Sequence, residues 1–359
     1  RKEYDSPGDR RFRAESMACP ECGPRLQFTN ANGTPLPGDP LRQTRARLAD
    51  GGIVAIRGIG GFLLACDAFS RAALNTLRER KKRPHKPLAV MARHMDVIRR
   101  YCTVPSEAAD LLTSPQAPIV VLDLLPSRKE VPFELLSPDT LNLGVLLPYS
   151  PLHKLIFEPL AGDPVPPFEL LVMTSGNRRS EPICITNEEA LARLGDIADF
   201  FLLHNRAVNL RNDDSLCALQ MGRPQVWRRA RGYAPRPIAL ASPLDTPVLA
   251  MGAELKNTVA VGLDRQVILS PHVGDLETPE AVEGLEKAAR ELPIFLDCKP
   301  ELVAVDMHPD MHATRIGRRI AAERGIPVVE VQHHHAHAAA SLAEYGLRRG
   351  LVLVFDGTG

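Results

Sequence analysis

The sequence predicts an α/β protein built from more than one domain. Three observations lead there. The chain has 359 residues, more than one ordinary core accommodates, and 44% of them are apolar, enough to fill real cores. β-rich apolar runs alternate with amphipathic helical stretches along most of its length. A proline-bearing stretch with little pattern, "ALASPLDTP" (239–247), separates two such patterned regions and reads as a linker.

Residues 1–30 are polar and basic and close on "ACPECGPRL". "LRQTRARLADG" reads as a helix stopped by Gly51 and Gly52. "GIVAIRGIGGF" is a strand running into a glycine loop. "SRAALNTLRERKKR" is a helix with Ser70 as N-cap and basic residues in its last turn. "KPLAVMA", "PIVVLDLL" and "PFELLVMTSGN" are strands, the last ending in a small polar loop. "EEALARLGDIADFFL" reads as a helix, and "PQVWRRARGYAPRPI" as extended chain. Beyond the linker, "VLAMGAELKNTVAVGL" is strand, turn and strand, and "TPEAVEGLEKAARELPIFL" is an amphipathic helix. "ELVAVDMHP" is a buried strand ending at Asp306, and "HATRIGRRIAAERG" a helix with Gly325 at its C-terminus. "IPVVEVQ" is a strand, the histidine segment opens a helix, and "GLVLVFDGTG" is the next strand. The alternation predicts a mainly parallel sheet. Arg1 in place of an initiator methionine, and a strand running into a terminal glycine loop, predict an internal fragment of a longer protein.

Composition narrows the function classes. A net charge of +1 advertises neither nucleic acid nor membrane as a partner of the whole molecule. No apolar run reaches transmembrane length and no secretory signal opens the chain. The seven cysteines, mostly isolated in apolar contexts, read as reduced thiols and predict a cytoplasmic protein.

Four constellations carry chemistry. Cys19 and Cys22, in C-x-x-C-G, have the knuckle spacing of structural zinc, although no second pair is present; a chance pair or a redox motif is the alternative. "RERKKRPHKPLAVM" (78–91) flows through Pro84 and Pro87 into a strand rather than standing apart as a solvated helix end. Together with Thr174-Ser175-Gly176-Asn177 it offers cations and polar groups for phosphate oxygens. No Walker A motif exists, so a nucleotide site must be of another kind. Asp213 and Asp214 suit Mg²⁺ or a simple pairing with arginines. In "VQHHHAHAAA", His333 and His337 are i and i+4 on one helix face, and His334 with His337 at i and i+3 is a second possible pair. Asp356 follows the next strand, and two His plus Asp is a plausible set for Fe, Mn or Zn. The Glu of H-E-x-x-H is absent, which disfavours zinc peptidase chemistry.

Taken together, these motifs resemble the HypF family of hydrogenase-maturation carbamoyltransferases. "EYDSPGDRRFRAESMACPECGPRL" looks like the end of its zinc-finger module (1–35). "AIRGIGGFLLACDA", "RKKRPHKPLAVM", "LGVLLPYSPLHKLIF", "TSGN", "NLRNDDSL" and "RRARGYAPRPI" look like its YrdC-like domain (40–238), a twisted open α/β sheet. "GAELKNTVAVG", "VDMHPDMHATR", "VQHHHAHAAA" and "FDGTG" look like the first part of its TsaD-like domain (246–359), which has an actin/acetate-kinase type α/β fold.

The resemblance implies a reaction. Carbamoyl phosphate yields carbamate, carbamate and ATP (with Mg²⁺) give carbamoyl adenylate, and the carbamoyl group passes to the C-terminal cysteine of HypE for cyanide-ligand synthesis. It also implies roles: Lys81, Arg83, Ser175 and Asn177 as the catalytic, carbamate- and ATP-holding set, and Arg231 facing phosphate. His333, His337 and Asp356 become the ligands of Fe or Zn, and Cys19 and Cys22 half of a zinc finger. Arg57 stands where Lys is common before the glycine loop, a change expected to be tolerated. The fragment is expected to be incomplete for the full reaction. The rivals are an antibiotic O-carbamoyltransferase, a threonylcarbamoyl-adenylate synthase, and an RNA-binding protein using Lys81–Lys86. "CPECGPRL" argues against the first, and "HHHAH" with "DGTG" against the second. The third leaves "TSGN" and the histidines unexplained.

Overall fold

The computed structural model describes residues 2–9, 12–13, 23–125 and 130–356. Cys19, Cys22 and the last three residues of "FDGTG" lie outside the described residues.

Ten strands form the first sheet: β1 (Leu26–Asn30), β2 (Val54–Arg57), β3 (Phe62–Asp67), β4 (Val90–Ala92), β5 (Ile119–Asp123), β6 (Asn142–Leu146), β7 (Leu170–Ser175), β8 (Phe200–His204), β9 (Leu216–Gln220) and β10 (Arg223–Arg228). Their spatial order is β1-β8-β2-β3-β7-β4-β6-β5-β9-β10. Both faces are covered. Phe62, Leu64 and Cys66 of β3 join one core with Leu74 and Leu77 of the following helix, while Leu63 and Ala65 join the other with Leu48 and Phe157. This is the period-2 alternation of a strand buried on both sides.

A second sheet has the order β11-β14-β13-β12-β15-β16. Its strands are β11 (Ile238–Ala239), β12 (Val248–Ala250), β13 (Ala260–Leu263), β14 (Gln266–Leu269), β15 (Leu302–Asp306) and β16 (Val328–Val331). Helices Pro279–Phe295 and His312–Arg324 pack Leu285, Ala289, Ile316 and Ile320 onto it. β11 precedes the 239–247 stretch yet pairs with β14, so the chain enters the second sheet before the linker.

Three expectations are corrected. The sheets are not mainly parallel. In the first, only β8–β2, β4–β6 and β5–β9 run parallel, because tight returns such as Gly58–Gly61 between β2 and β3 force antiparallel neighbours. "EEALARLGDIADFFL" is not all helix. The helix Asn187–Leu194 ends before Gly195, and Phe200–His204 is β8, inserted between β1 and β2. "LVLVFD" is not a strand: residues 351–356 pair with no strand among the described residues, and Leu351, Leu353 and Phe355 stay open to solvent. Without a ladder partner and a covering layer, an apolar period-2 run has nothing to hold it in a sheet.

Candidate active site and metal centre

The helix Arg71–Arg80 starts at Ser70, whose hydroxyl accepts from Ala73 N at 3.3 Å. Its apolar face (Ala73, Leu74, Leu77) is buried against the first sheet, which fixes the direction of its C-terminus. Lys81 caps that end and is buried. Its ammonium donates to Ser175 O (2.6 Å), Asn177 O (2.9 Å) and Asn177 Oδ1 (3.1 Å). Ser175 Oγ donates to the same Asn177 Oδ1 at 2.8 Å, and Asn177 Nδ2 donates to Glu181 O at 2.6 Å. Gly176 between them is required by space. Its N–H bonds Phe62 O at 2.7 Å, and a Cβ there would stand 2.6 Å from that same oxygen. Arg83 donates to Thr174 Oγ1 at 3.1 Å and to the carbonyl of Pro87. The end of β7 and the end of one helix thus make a single polar cluster.

Burial pushes the Lys81 ammonium down to about 7, helped by the neighbouring charges of Arg83 and Lys86 and opposed by Asp213. Burial likewise lowers Arg83 to about 10, so it stays charged at neutral pH. Lys81 is therefore no part of a solvated basic patch, and the RNA-binding reading loses its central residue.

The cluster opens into a cavity of about 1670 Å³. It is lined by Lys81, Arg83, Asp213 and Arg228 from the first sheet's unit and by Lys256 and His272 from the second sheet's unit. A cavity larger than a single drug-sized ligand needs, with cations from both units, suits an extended anion and its passage between units.

Arg231 corrects an expectation. It does not line this cavity. Its guanidinium donates to Asp214 Oδ1 (2.9 and 3.0 Å), Gln116 O (2.9 Å) and Ala117 O (2.8 Å), and lies 3.5 Å from the Tyr149 ring centroid. Its donors are committed to structure. Both aspartates reach the cavity lining; Asp214 is spent in the pair with Arg231, and Asp213 reaches Arg228 at 3.3 Å. Arg57 is similarly enclosed, donating to Asn187 Oδ1, His204 O and Ile185 O.

In the second unit, Gln332 caps the helix His333–Glu344 by accepting from His335 N at 2.8 Å. The cap sets the helix phase, and His333 and His337 then lie one turn apart, edge to face, with ring centroids 4.9 Å apart. Ligand atoms of His333, His337 and Asp356 all lie within 4.8 Å of one another. Asp356 Oδ2 is 3.0 Å from His333 Nε2, 3.8 Å from His337 Nε2 and 3.9 Å from His334 Nε2, so the grouping of His333 with His337 rests on the mutual reach of all three ligand atoms. One further residue belongs here and was not singled out from the sequence. Asp306, at the end of β15, accepts from His333 Nδ1 at 2.6 Å. That bond directs Nε2 towards Asp356, the usual arrangement behind a metal-binding histidine. The signal was in the sequence: a buried strand ending in an aspartate. Two imidazoles and a carboxylate within one coordination radius, with one ring already oriented, fit a divalent transition metal.

A family model for HypF fingers matches residues 1–29, one for the HypF Kae1-like domain matches 243–344, and the Sua5/YciO/YrdC model, described as "Telomere recombination", matches 46–230. The carbamoyltransferase HypF of Rhodobacter capsulatus is 42% identical over 365 residues, covering 100% of this chain and 47% of the relative. HypF2 of Cupriavidus necator is 45% identical over 349 residues, covering 93% and 43%. A solved full-length HypF in the phosphate- and nucleotide-bound form superposes with TM-score 0.86 at 40% identity, covering 97% of this chain and 44% of that one. HypF of T. kodakarensis superposes with TM-score 0.87 at 37% identity, over 96% and 45%.

This chain belongs to the HypF family. It spans just under half the length of the curated relatives named here. The finger model covers the segment containing Cys19 and Cys22. No helix among the described residues is long and apolar enough to cross a membrane.

Proposed function

We propose that the chain forms carbamoyl adenylate at the Lys81 cluster and passes the carbamoyl group towards the unit bearing His333. This would serve a carbamoyltransferase of [NiFe]-hydrogenase maturation whose acceptor is the C-terminal cysteine of HypE. One observation carries the reading. Lys81, Arg83, Ser175 and Asn177 converge on a cavity that the unit with the histidine–aspartate cluster also lines.

In the first step a carbamate oxygen attacks the α-phosphorus of ATP. A new O–P bond forms, the bond to the pyrophosphate oxygen breaks, and pyrophosphate leaves with its magnesium. Lys81 and Arg83 hold the phosphate charge, which grows on the leaving oxygen. Ser175 and Asn177 position Lys81 and offer polar contacts to carbamate. In the second step the acceptor thiolate attacks the carbonyl carbon and AMP departs with the bonding electron pair. Carbamate and its adenylate decompose in water, so a cavity lined by both units would limit the intermediate's exposure. A bound Fe or Zn, held by His333, His337 and Asp356, would supply Lewis-acid polarisation in the second unit. Cys19 and Cys22 would hold zinc in the finger segment, and carbamoyl phosphate would be the upstream source of carbamate, all in the cytoplasm.

ATP–pyrophosphate exchange tests this directly. Exchange that requires added carbamate supports the reading. A folded chain that binds ATP and exchanges nothing with carbamate present would overturn it.

A further inference from the structure

His272 is a part of the cavity that the mechanism leaves unused. It sits just after β14, in "LSPHVGD", on the wall contributed by the second unit. Its backbone N–H donates to Arg229 O at 3.2 Å, a main-chain bond from the second unit to the strand end that carries Arg228. This bond pins the residue where the two units meet. Gly274, two residues on, has φ +104 and curls the chain beneath the ring. Among the described residues the imidazole takes part in no hydrogen bond, although it lines a cavity that also holds charged side chains.

The charges around it define what it can do. Arg228, Lys86, Asp213 and Asp275 are its charged neighbours. Burial first, then Arg228, pushes its pKa down to about 4, so at neutral pH it is an uncharged ring. A neutral imidazole offers one donor and one acceptor. Lys81, Arg83, Lys86 and Arg228 in the same cavity donate and cannot accept, while Asp213 and Asn177 there are already engaged by Arg228 and by Lys81 and Ser175. A carbamoyl group is planar, with an amide that donates and a carbonyl that accepts. The phosphates need cations, whereas adenine, ribose and the carbamoyl group all match a neutral donor–acceptor ring; Lys86 and Asp213, charged neighbours of both His272 and Lys81, put the ring at the Lys81 end of the cavity, where the carbamoyl group would lie.

We propose that His272 is a substrate-binding residue, contributed by the second unit, that hydrogen-bonds the carbamoyl end of the carbamate and its adenylate. The inference rests on the adenylation reading above. His272 adds an uncharged donor and acceptor to the contacts that Ser175 and Asn177 offer the carbamoyl group. It also makes the adenylation site depend on the neighbouring unit, because the ring arrives only when the main-chain bond to Arg229 is made.

The test is steady-state ATP–pyrophosphate exchange with ammonium carbamate, on the parent chain and on His272→Ala, His272→Phe, His272→Asn and His272→Gln. Loss of one or two hydrogen bonds to a bound group predicts a KM for carbamate raised by about tenfold in the Ala and Phe variants, with KM for ATP changed less than about twofold. The amide side chains of Asn or Gln should restore part of the loss, since each again offers a donor and an acceptor. Unchanged carbamate KM in His272→Ala overturns the proposal. Equal rises in both KM values with no rescue by Asn or Gln overturn it too, and would make His272 a structural contact. Absence of carbamate-dependent exchange in the parent chain is a separate outcome: it removes the adenylation reading itself.

Discussion

His333 and Asp306 meet through a 2.6 Å bond between Nδ1 and Oδ2, although 27 positions separate them in the chain. β15 and β16 run parallel with Asp306 opposite Val331, and the helix beginning at His333 follows directly. The carboxylate accepts the Nδ1 proton and aims Nε2 at Asp356. Asp306→Ala is therefore expected to weaken metal binding by about 10–100-fold while all three ligands remain. Zinc titration followed by competition with a chelator measures this. His335→Ala, on another helix face, should bind as the parent does. Equal affinity in Asp306→Ala and the parent would remove Asp306 from the site.

Lys81 is expected to link ATP binding to protons. With its pKa near 7, much of it is neutral above that pH in the free protein. A bound polyphosphate favours the charged form and raises that pKa. Binding at pH 8 is then expected to take up a proton, and affinity to fall as pH rises above about 7. Calorimetry in buffers of different ionisation enthalpy reads the uptake directly. Lys81→Met should bind more weakly and show little or no uptake.

Asn177 Oδ1 accepts from both Lys81 and Ser175. Asn177→Ala removes that acceptor and the bond to Glu181 O, at a stability cost of about 1–3 kcal/mol. Asn177→Asp keeps the acceptor but adds a negative charge where phosphate should sit. Its ATP affinity is expected to fall below that of Asn177→Ala, and nucleotide titration of the two folded variants decides the order.

Arg231 and Arg228 separate structure from binding. Arg231→Met leaves the buried Asp214 carboxylate, already pushed up by desolvation, without its partner. Breaking such a pair typically costs about 3–5 kcal/mol, visible as a lower denaturant midpoint. Arg228→Ala gives up a bond to Asp214 O and the pair with Asp213, so it should lower the midpoint by less than Arg231→Met does, and it should weaken ATP binding, because Arg228 lines the cavity. The opposite pattern would return Arg231 to the phosphate site.

What could be read from the chain was local. The Ser70 cap, the apolar face ending at Lys81, the "TSGN" turn and the i, i+4 spacing of His333 and His337 each depend on neighbours within a few residues. Residue type and spacing express that directly. Helix existence and the residue types of both clusters were legible for this reason. The 350–356 run shows the limit. Its pattern is that of a strand, but a strand exists only when a second chain segment supplies its hydrogen bonds.

Tertiary structure decided the rest. The order β1-β8-β2-β3-β7-β4-β6-β5-β9-β10 joins segments more than a hundred positions apart, so strand direction followed loop geometry rather than the strand–helix alternation. The same distance hid the fate of Arg231. An arginine near an acidic turn serves phosphate or structure equally well until Gln116, Ala117 and Tyr149 close around it. Asp306 and His272 acquired their places only when parallel pairing and the contact between units brought them to His333 and Arg229. The sequence by itself determined which chemical groups this protein carries and the local turns that present them. Which groups face one another, and which are consumed in holding the fold, was settled by long-range packing, whose partners no local pattern encodes.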